Sequence, residues 1–171
     1  CGHGGQSPND IIKYASSSGS TIGNVYIHRY YDGDIGDFEI IKITNTDTFS
    51  TSNSINNMYS ITGTLSSPAV GTIIKYYSRT TSSFGYGSVE RRNVTVLADD
   101  RDNISGLTEV KVTSGSCESG DSGGPFFQDA SSGAKYCGVL HGKRTDSSGN
   151  LYVCFTPYTY ISSAGFSVRT N

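Results

Sequence analysis

Charge is scarce in this 171-residue chain, tryptophan is absent, and no apolar run approaches the length of a membrane span. Charged residues are 16% of the sequence while Gly, Ser, Thr and Tyr abound, so the surface must be largely neutral and hydroxyl-rich. That composition suits an extracellular β protein. Thirteen basic against fifteen acidic side chains leave a net charge of −2, and Arg91-Arg92 is the longest basic run. No phosphate-binding footprint results, which argues against nucleic acid as a partner. The first residues lack an initiator methionine and the basic-then-apolar layout of a signal peptide, so the chain reads as already processed. Repeats and low-complexity tracts are missing too, and no stretch before the C-terminus keeps apolar residues at helical spacing.

The chain is long enough for one compact domain, or two small sub-domains sharing an interface, with a real core. Short apolar or alternating runs recur between Gly, Ser and Asn clusters at 24–30, 38–44, 71–78, 88–97, 108–113, 135–141 and 151–156. Val, Ile, Thr and Tyr dominate these runs, which read as strands, and the fold class is all-β, a sandwich or barrel. Only 157–164 resembles a helix, with Pro157 near its start and Gly165 placed as a stop. Ser66-Ser67-Pro68 is the best internal linker. Four cysteines allow two disulfides in three connectivities, which would favour an oxidising compartment; the alternative is four buried thiols. Asn93-Val94-Thr95 and Asn103-Ile104-Ser105 read as N-glycosylation acceptors and lean the same way.

The sharpest signal is Gly120-Asp121-Ser122-Gly123-Gly124-Pro125. Average residue usage would produce it by accident in on the order of one chain in 10^5. Small residues around a serine let the backbone turn so that Oγ is exposed and nearby N–H groups converge on a developing oxyanion. The N–H groups of Gly120 and Ser122 would form that hole. A Gly-rich hairpin turn is the plain alternative.

A serine hydroxyl is a poor nucleophile alone, so a base must take its proton and a carboxylate must hold that base in the right tautomer. If the triad follows the order His, then Asp, then Ser, one of several chain orders such sites take, the candidates are His3 and His28 for the base and Asp32, Asp34 and Asp37 for the carboxylate. Asp37 opens Asp37-Phe38-Glu39-Ile40-Ile41, an acid leading into an apolar strand where burial can shield it, and is the choice among the three.

Over nearly its whole length the chain resembles a chymotrypsin-family serine protease of the streptogrisin and alpha-lytic branch. Cys1-Gly2-His3-Gly4 is similar to the family's Thr-Ala-Gly-His-Cys segment and Gly36-Asp37-Phe38 to its Asp motif. Residues 71–89 resemble a central hairpin, 117–125 the nucleophile loop, and 157–168 the C-terminal helix and tail. The resemblance implies two antiparallel six-stranded β-barrels and a short C-terminal helix, with 1–66 the remainder of the first barrel and 67–171 the second barrel and helix. It implies His3 as general base and acid, Asp37 as orienting carboxylate, Ser122 as nucleophile, Gly120 with Ser122 as oxyanion donors, and Asp121 as loop anchor. His28, in a strand shortly before Asp37, matches a non-catalytic position.

The same resemblance puts Ser116, Ser119, His141, Lys143 and Val153 around the primary specificity pocket. Ser116, at the position of the trypsin pocket floor, is no acid, which argues against a preference for Lys or Arg. Ser119, His141 and Lys143 could favour an acidic side chain instead. Relatives neutralise the residue before the serine with an internal Arg, a task for Lys75 or Arg79 here.

The departure from the family is at the start, where relatives carry the first strands of the N-terminal barrel before the catalytic histidine. An incomplete barrel leaves open edges and an uncovered apolar face. A separate or cleaved chain, or a stretch outside this sequence, is the expected partner, alongside protein or peptide substrates. The expected function is a secreted serine endopeptidase that works through an acyl-enzyme without metal or cofactor. A catalytically silent protease-like binding module is the competing reading, and an adhesin or lectin-like sandwich comes third because it leaves the hexapeptide unexplained.

Overall fold

The computed structural model describes residues 7–13, 18–29, 33–49, 51–97 and 103–170, with eleven strands and one helix among them. The first sheet has three antiparallel strands in sequence order, β1 (Ile11–Lys13), β2 (Thr21–Arg29) and β3 (Phe38–Ile43). The chain then forms the small hairpin β4 (Ser54–Ile55) and β5 (Tyr59–Thr64).

Six longer strands follow: β6 (Ile73–Ser78), β7 (Ser83–Leu97), β8 (Asn103–Ser114), β9 (Pro125–Ala130), β10 (Gly133–Thr145) and β11 (Leu151–Pro157). They pair in the order β11-β8-β7-β6-β9-β10, and an antiparallel β10–β11 pairing closes the ring into a six-stranded barrel. Every pairing around the ring is antiparallel, so closure leaves no open edge there. β5 joins from outside, pairing parallel with β10.

Strand periodicity explains the interior. On β6, Ile74, Tyr76 and Ser78 are buried while their neighbours are more exposed, the alternation a pleated strand imposes. Tyr76 stacks on Phe126 at 5.4 Å between centroids, and Phe126 stacks on Phe155 at 4.5 Å, so strands β6, β9 and β11 share one aromatic column. Each such fully buried ring contributes about 2–3 kcal/mol through removal of apolar surface from water. On the wall, Glu109 of β8 is 1% exposed and accepts from Arg91 of β7 at 2.8 and 3.0 Å and from Arg144 of β10 at 2.7 Å. Burial would raise its pKa, but the two guanidinium groups hold it below the ordinary glutamate value.

The helix α1 (Tyr158–Ser163) starts behind Pro157, whose extended backbone serves as N-cap, and Gly165 follows its end at φ +90°. Tyr158 and Ile161 bury against Phe38 of β3. The expected all-β class and C-terminal helix are thus present. Four strands had no counterpart in the sequence reading: β1, β4, β5 and β9.

The anticipated disulfides are absent among the described residues. Cys117, Cys137 and Cys154 are free and buried, as in the alternative of buried thiols, and Cys1 lies outside the described residues. Burial pushes their thiols up, Cys117 to about 11 and Cys137 and Cys154 to about 12.

Candidate active site

The acidic side of the site is built at the entry to β3. Gly36 takes φ +80°, and a Cβ there would stand 2.7 Å from Thr156 Cγ2, so only glycine lets the chain pass this close to β11. Asp37 follows with no solvent exposure. Its N–H donates to Thr156 Oγ1 at 2.7 Å, and that hydroxyl donates back to the Asp37 carbonyl at 2.8 Å. Asp37 therefore belongs to the first sheet by sequence and is fixed to the barrel by its backbone.

The loop that carries Ser122 runs from the end of β8 into β9. Gly120 and Gly123 flank the Asp-Ser pair at φ +99° and +88°, conformations in which other residues are strained, and they fold the loop back on itself. Gly123 N–H donates to the Leu140 carbonyl at 2.9 Å and Leu140 N–H to the Gly124 carbonyl at 2.8 Å, stitching the loop to β10. Asp121 is 2% exposed and anchors the loop from below. It accepts from Glu118 N–H at 2.8 Å, Thr80 N–H at 2.9 Å and Thr80 Oγ1 at 2.8 Å, with the Ser78 hydroxyl as a further donor. Burial would raise its pKa, and these hydrogen bonds outweigh burial and hold it below the ordinary aspartate value. Hydroxyls and amides thus do what Lys75 or Arg79 was expected to do; Lys75 instead pairs with Asp129 at 2.5 Å.

The two parts meet at His141. Ser122 Oγ donates to the His141 carbonyl at 2.9 Å, while His141 Nδ1 lies 2.6 Å from Asp37 Oδ2. An aspartate and a serine far apart in sequence are thereby brought to one residue of β10.

The remaining sequence candidates divide. His3 lies outside the described residues. Lys143 pairs with Glu118 at 2.6 Å, across from the loop that carries Ser122. Ser116 is half-buried, Ser119 and Gly120 are exposed, and Val153 is fully buried in the barrel core with Cys117 and Leu140. His28 is buried on β2, opposite Glu39 of β3. Among the described residues no group of three or more His, Cys, Asp or Glu is arranged to hold a metal ion. The sequence reading missed Thr156, Ser78, Thr80 and Glu118. Only the Gly36-Asp37 pair hinted that another chain segment would press on the acid.

The sequence matches the trypsin family model over residues 7–164. No curated protein sequence matches it. Among solved structures, Thermobifida fusca protease A is similar with a TM-score of 0.73 and 25% identity, covering 99% of this chain and 82% of its own. A glutamic acid-specific serine protease described as using a histidine triad in substrate binding has a TM-score of 0.67 and 26% identity, over 91% of this chain and 78% of its own. The alpha-lytic protease homolog N4 has a TM-score of 0.64 and 25% identity, over 89% of this chain and 75% of its own. The matched span, the closed barrel and the glycine-flanked serine agree: the chain belongs to the trypsin family, and is a chymotrypsin-type serine endopeptidase of the alpha-lytic and streptogrisin branch.

Proposed function

We propose that the enzyme cleaves peptide bonds through an acyl-enzyme on Ser122, with His3 as general base and acid and Asp37 as the carboxylate that orients it. The convergence of buried Asp37 and the Ser122 hydroxyl on His141 carries this reading. His3 takes the Oγ proton as Oγ bonds the scissile carbonyl carbon, and Gly120 and Ser122 N–H groups stabilise the oxyanion. Collapse of that intermediate breaks the C–N bond, and the leaving amine receives the proton from His3. Water, deprotonated by His3, then attacks the ester; its proton returns to Ser122 Oγ as the acid product leaves.

Ser116, Ser119, His141, Lys143 and Val153 are the proposed substrate-binding residues. The division at 66/67 into first-barrel remainder and second barrel belongs to the same proposal, as does a further segment that completes the first barrel. The first sheet supports that partner, since β1 and β3 stand at the edges of only three described strands. An active preparation containing a lone 18.2 kDa species would count against it. Secretion and glycosylation are proposed from the hydroxyl-rich surface and from Asn93 and Asn103, both exposed.

A serine-directed fluorophosphonate tests the reading. Labelling that disappears in Ser122→Ala and falls sharply in His3→Ala supports it; folded, peptidase-active protein that resists the probe overturns it.

A further inference from the structure

Lys143 is the one permanent cation among the proposed substrate-binding side chains, and the fold has already given it an anion. Its Nζ donates to Glu118 Oε2 at 2.6 Å, a carboxylate that the reaction just described does not use. Glu118 lies four residues before Ser122, and Lys143 two residues beyond the His141 carbonyl that accepts the Ser122 hydroxyl at 2.9 Å. In the β10–β11 register Lys143 stands opposite Val153, so both side chains lean to the same side of the sheet. Val153 in turn packs in the barrel core with Cys117, the chain neighbour of Glu118. The ion pair thus spans from the Ser122 loop to β10 over the part of the core that Val153 and Cys117 share.

Holding the loop in place does not account for the pair. Asp121 fixes the loop from beneath, taking the Glu118 N–H at 2.8 Å, and two backbone bonds join Leu140 to Gly123 and Gly124 at its far end. At 40% and 46% exposure, Lys143 and Glu118 form the kind of ion pair that adds little to stability. What the pair alters is charge. His141 is engaged with Asp37 at 2.6 Å, and the Asp121 carboxylate is buried among its donors. Of the ionisable side chains in the loop and in residues 140–143, Lys143 and Glu118 are therefore the ones open to a substrate. A substrate carboxylate that takes Lys143 leaves Glu118 unpaired beside it, and a substrate cation that takes Glu118 does the same to Lys143, so either sign meets its like at close range. We propose that Glu118 is a specificity-determining residue: by holding the Lys143 ammonium it withholds that cation from substrates, and the enzyme cleaves after uncharged side chains while discriminating against both signs. The inference rests on the acyl-transfer reading, with Lys143 at the substrate.

The test compares peptides that differ only in the residue on the acyl side of the scissile bond: glutamate against glutamine, and lysine against methionine, pairs matched in shape. Rates are measured as kcat/KM per fluorophosphonate-titrated Ser122, so that only folded sites count. The parent is expected to prefer glutamine and methionine. Glu118→Gln frees the ammonium and raises the glutamate-to-glutamine ratio about tenfold or more, and Lys143→Met frees the carboxylate and raises the lysine-to-methionine ratio by a similar factor. Each single variant lowers the other ratio, the two shifts cancel in the double variant, and high salt shrinks both.

A parent that cleaves after glutamate as fast as after glutamine overturns the proposal, as do ratios that stay within about twofold of the parent in both single variants. Should Glu118→Gln rearrange the loop, Glu118→Ala, which keeps the backbone bond to Asp121, poses the same question. Ser122→Ala, run alongside, separates the failures: if it hydrolyses the glutamine peptide at the parent rate the acyl-transfer reading itself falls, whereas unmoved ratios beside an inert Ser122→Ala sink the role of Glu118 alone.

Discussion

One hydroxyl on β11, that of Thr156, accepts the N–H of Asp37 and donates to its carbonyl, so a single side chain closes both backbone groups of the acid. Thr156→Val keeps the shape and removes both bonds, stranding a buried N–H and a buried carbonyl. The variant should be less stable by about 1–3 kcal/mol, seen as a lower denaturation midpoint with an unchanged slope, and its kcat should fall. Thr156→Ser, which keeps the hydroxyl, should stay close to the parent; equal loss in both would show that the methyl group matters instead.

The anchor under the Ser122 loop gives a pH dependence of definite sign. Asp121 has a folded pKa below its unfolded value of about 3.9, so its contribution to stability is fully present above that value and is lost as pH falls through the folded pKa. Around it stand Ser78, Thr80 and Glu118 as donors, with Tyr76 and Cys117, neither of which ionises in that range. Thr80→Val removes one donor. Its stability deficit should be full at pH 7 and shrink steadily below about pH 4; a deficit that grows on acidification would contradict the assignment.

Because burial pushes the three described thiols up to about 11 and about 12, they should resist alkylation in the native state at pH 8. Peptide mapping after iodoacetamide should find Cys117, Cys137 and Cys154 unmodified in folded protein and modified in guanidinium. Rapid native labelling of any of them would show that its core opens readily.

Tyr76 is fully buried and its hydroxyl meets no hydrogen-bond partner among the described residues, while burial lifts its pKa to about 12. Removing an unsatisfied buried hydroxyl should be neutral or stabilising by up to about 1 kcal/mol in Tyr76→Phe, because the stacked ring on Phe126 is kept. A clear loss of thermal stability would mean that the hydroxyl is satisfied in solution.

The fold was legible where one face of a strand is buried. Alternation marked β6 and the apolar run marked β11, and Pro157 with Gly165 bracketed α1. It was not legible in β5, whose Ser-Ile-Thr-Gly-Thr run is stabilised by pairing with β10, or in β9, where Pro125 and the glycines before it read as loop. The serine motif was readable because its glycines are required by local backbone geometry, which lies in adjacent residues. The partners of Asp37 and Asp121 were not, since Thr156, Ser78 and Thr80 reach them across the tertiary fold and a lone Ser or Thr carries no local signature. Even cysteine count misled for a related reason: pairing depends on where the fold brings the thiols, and the three described ones are free and buried as packing residues, Cys117 and Cys137 in the barrel core and Cys154 beside Ile104 and Leu107.

Trapping the covalent intermediate tests the central claim most directly. Mixed with a slowly deacylating ester, the enzyme should show a burst of about one equivalent per site and an intact-mass gain equal to the acyl group, mapped to Ser122. Ser122→Ala should give neither. Peptide hydrolysis that proceeds with no acyl adduct, or with the adduct on another residue, would contradict the account.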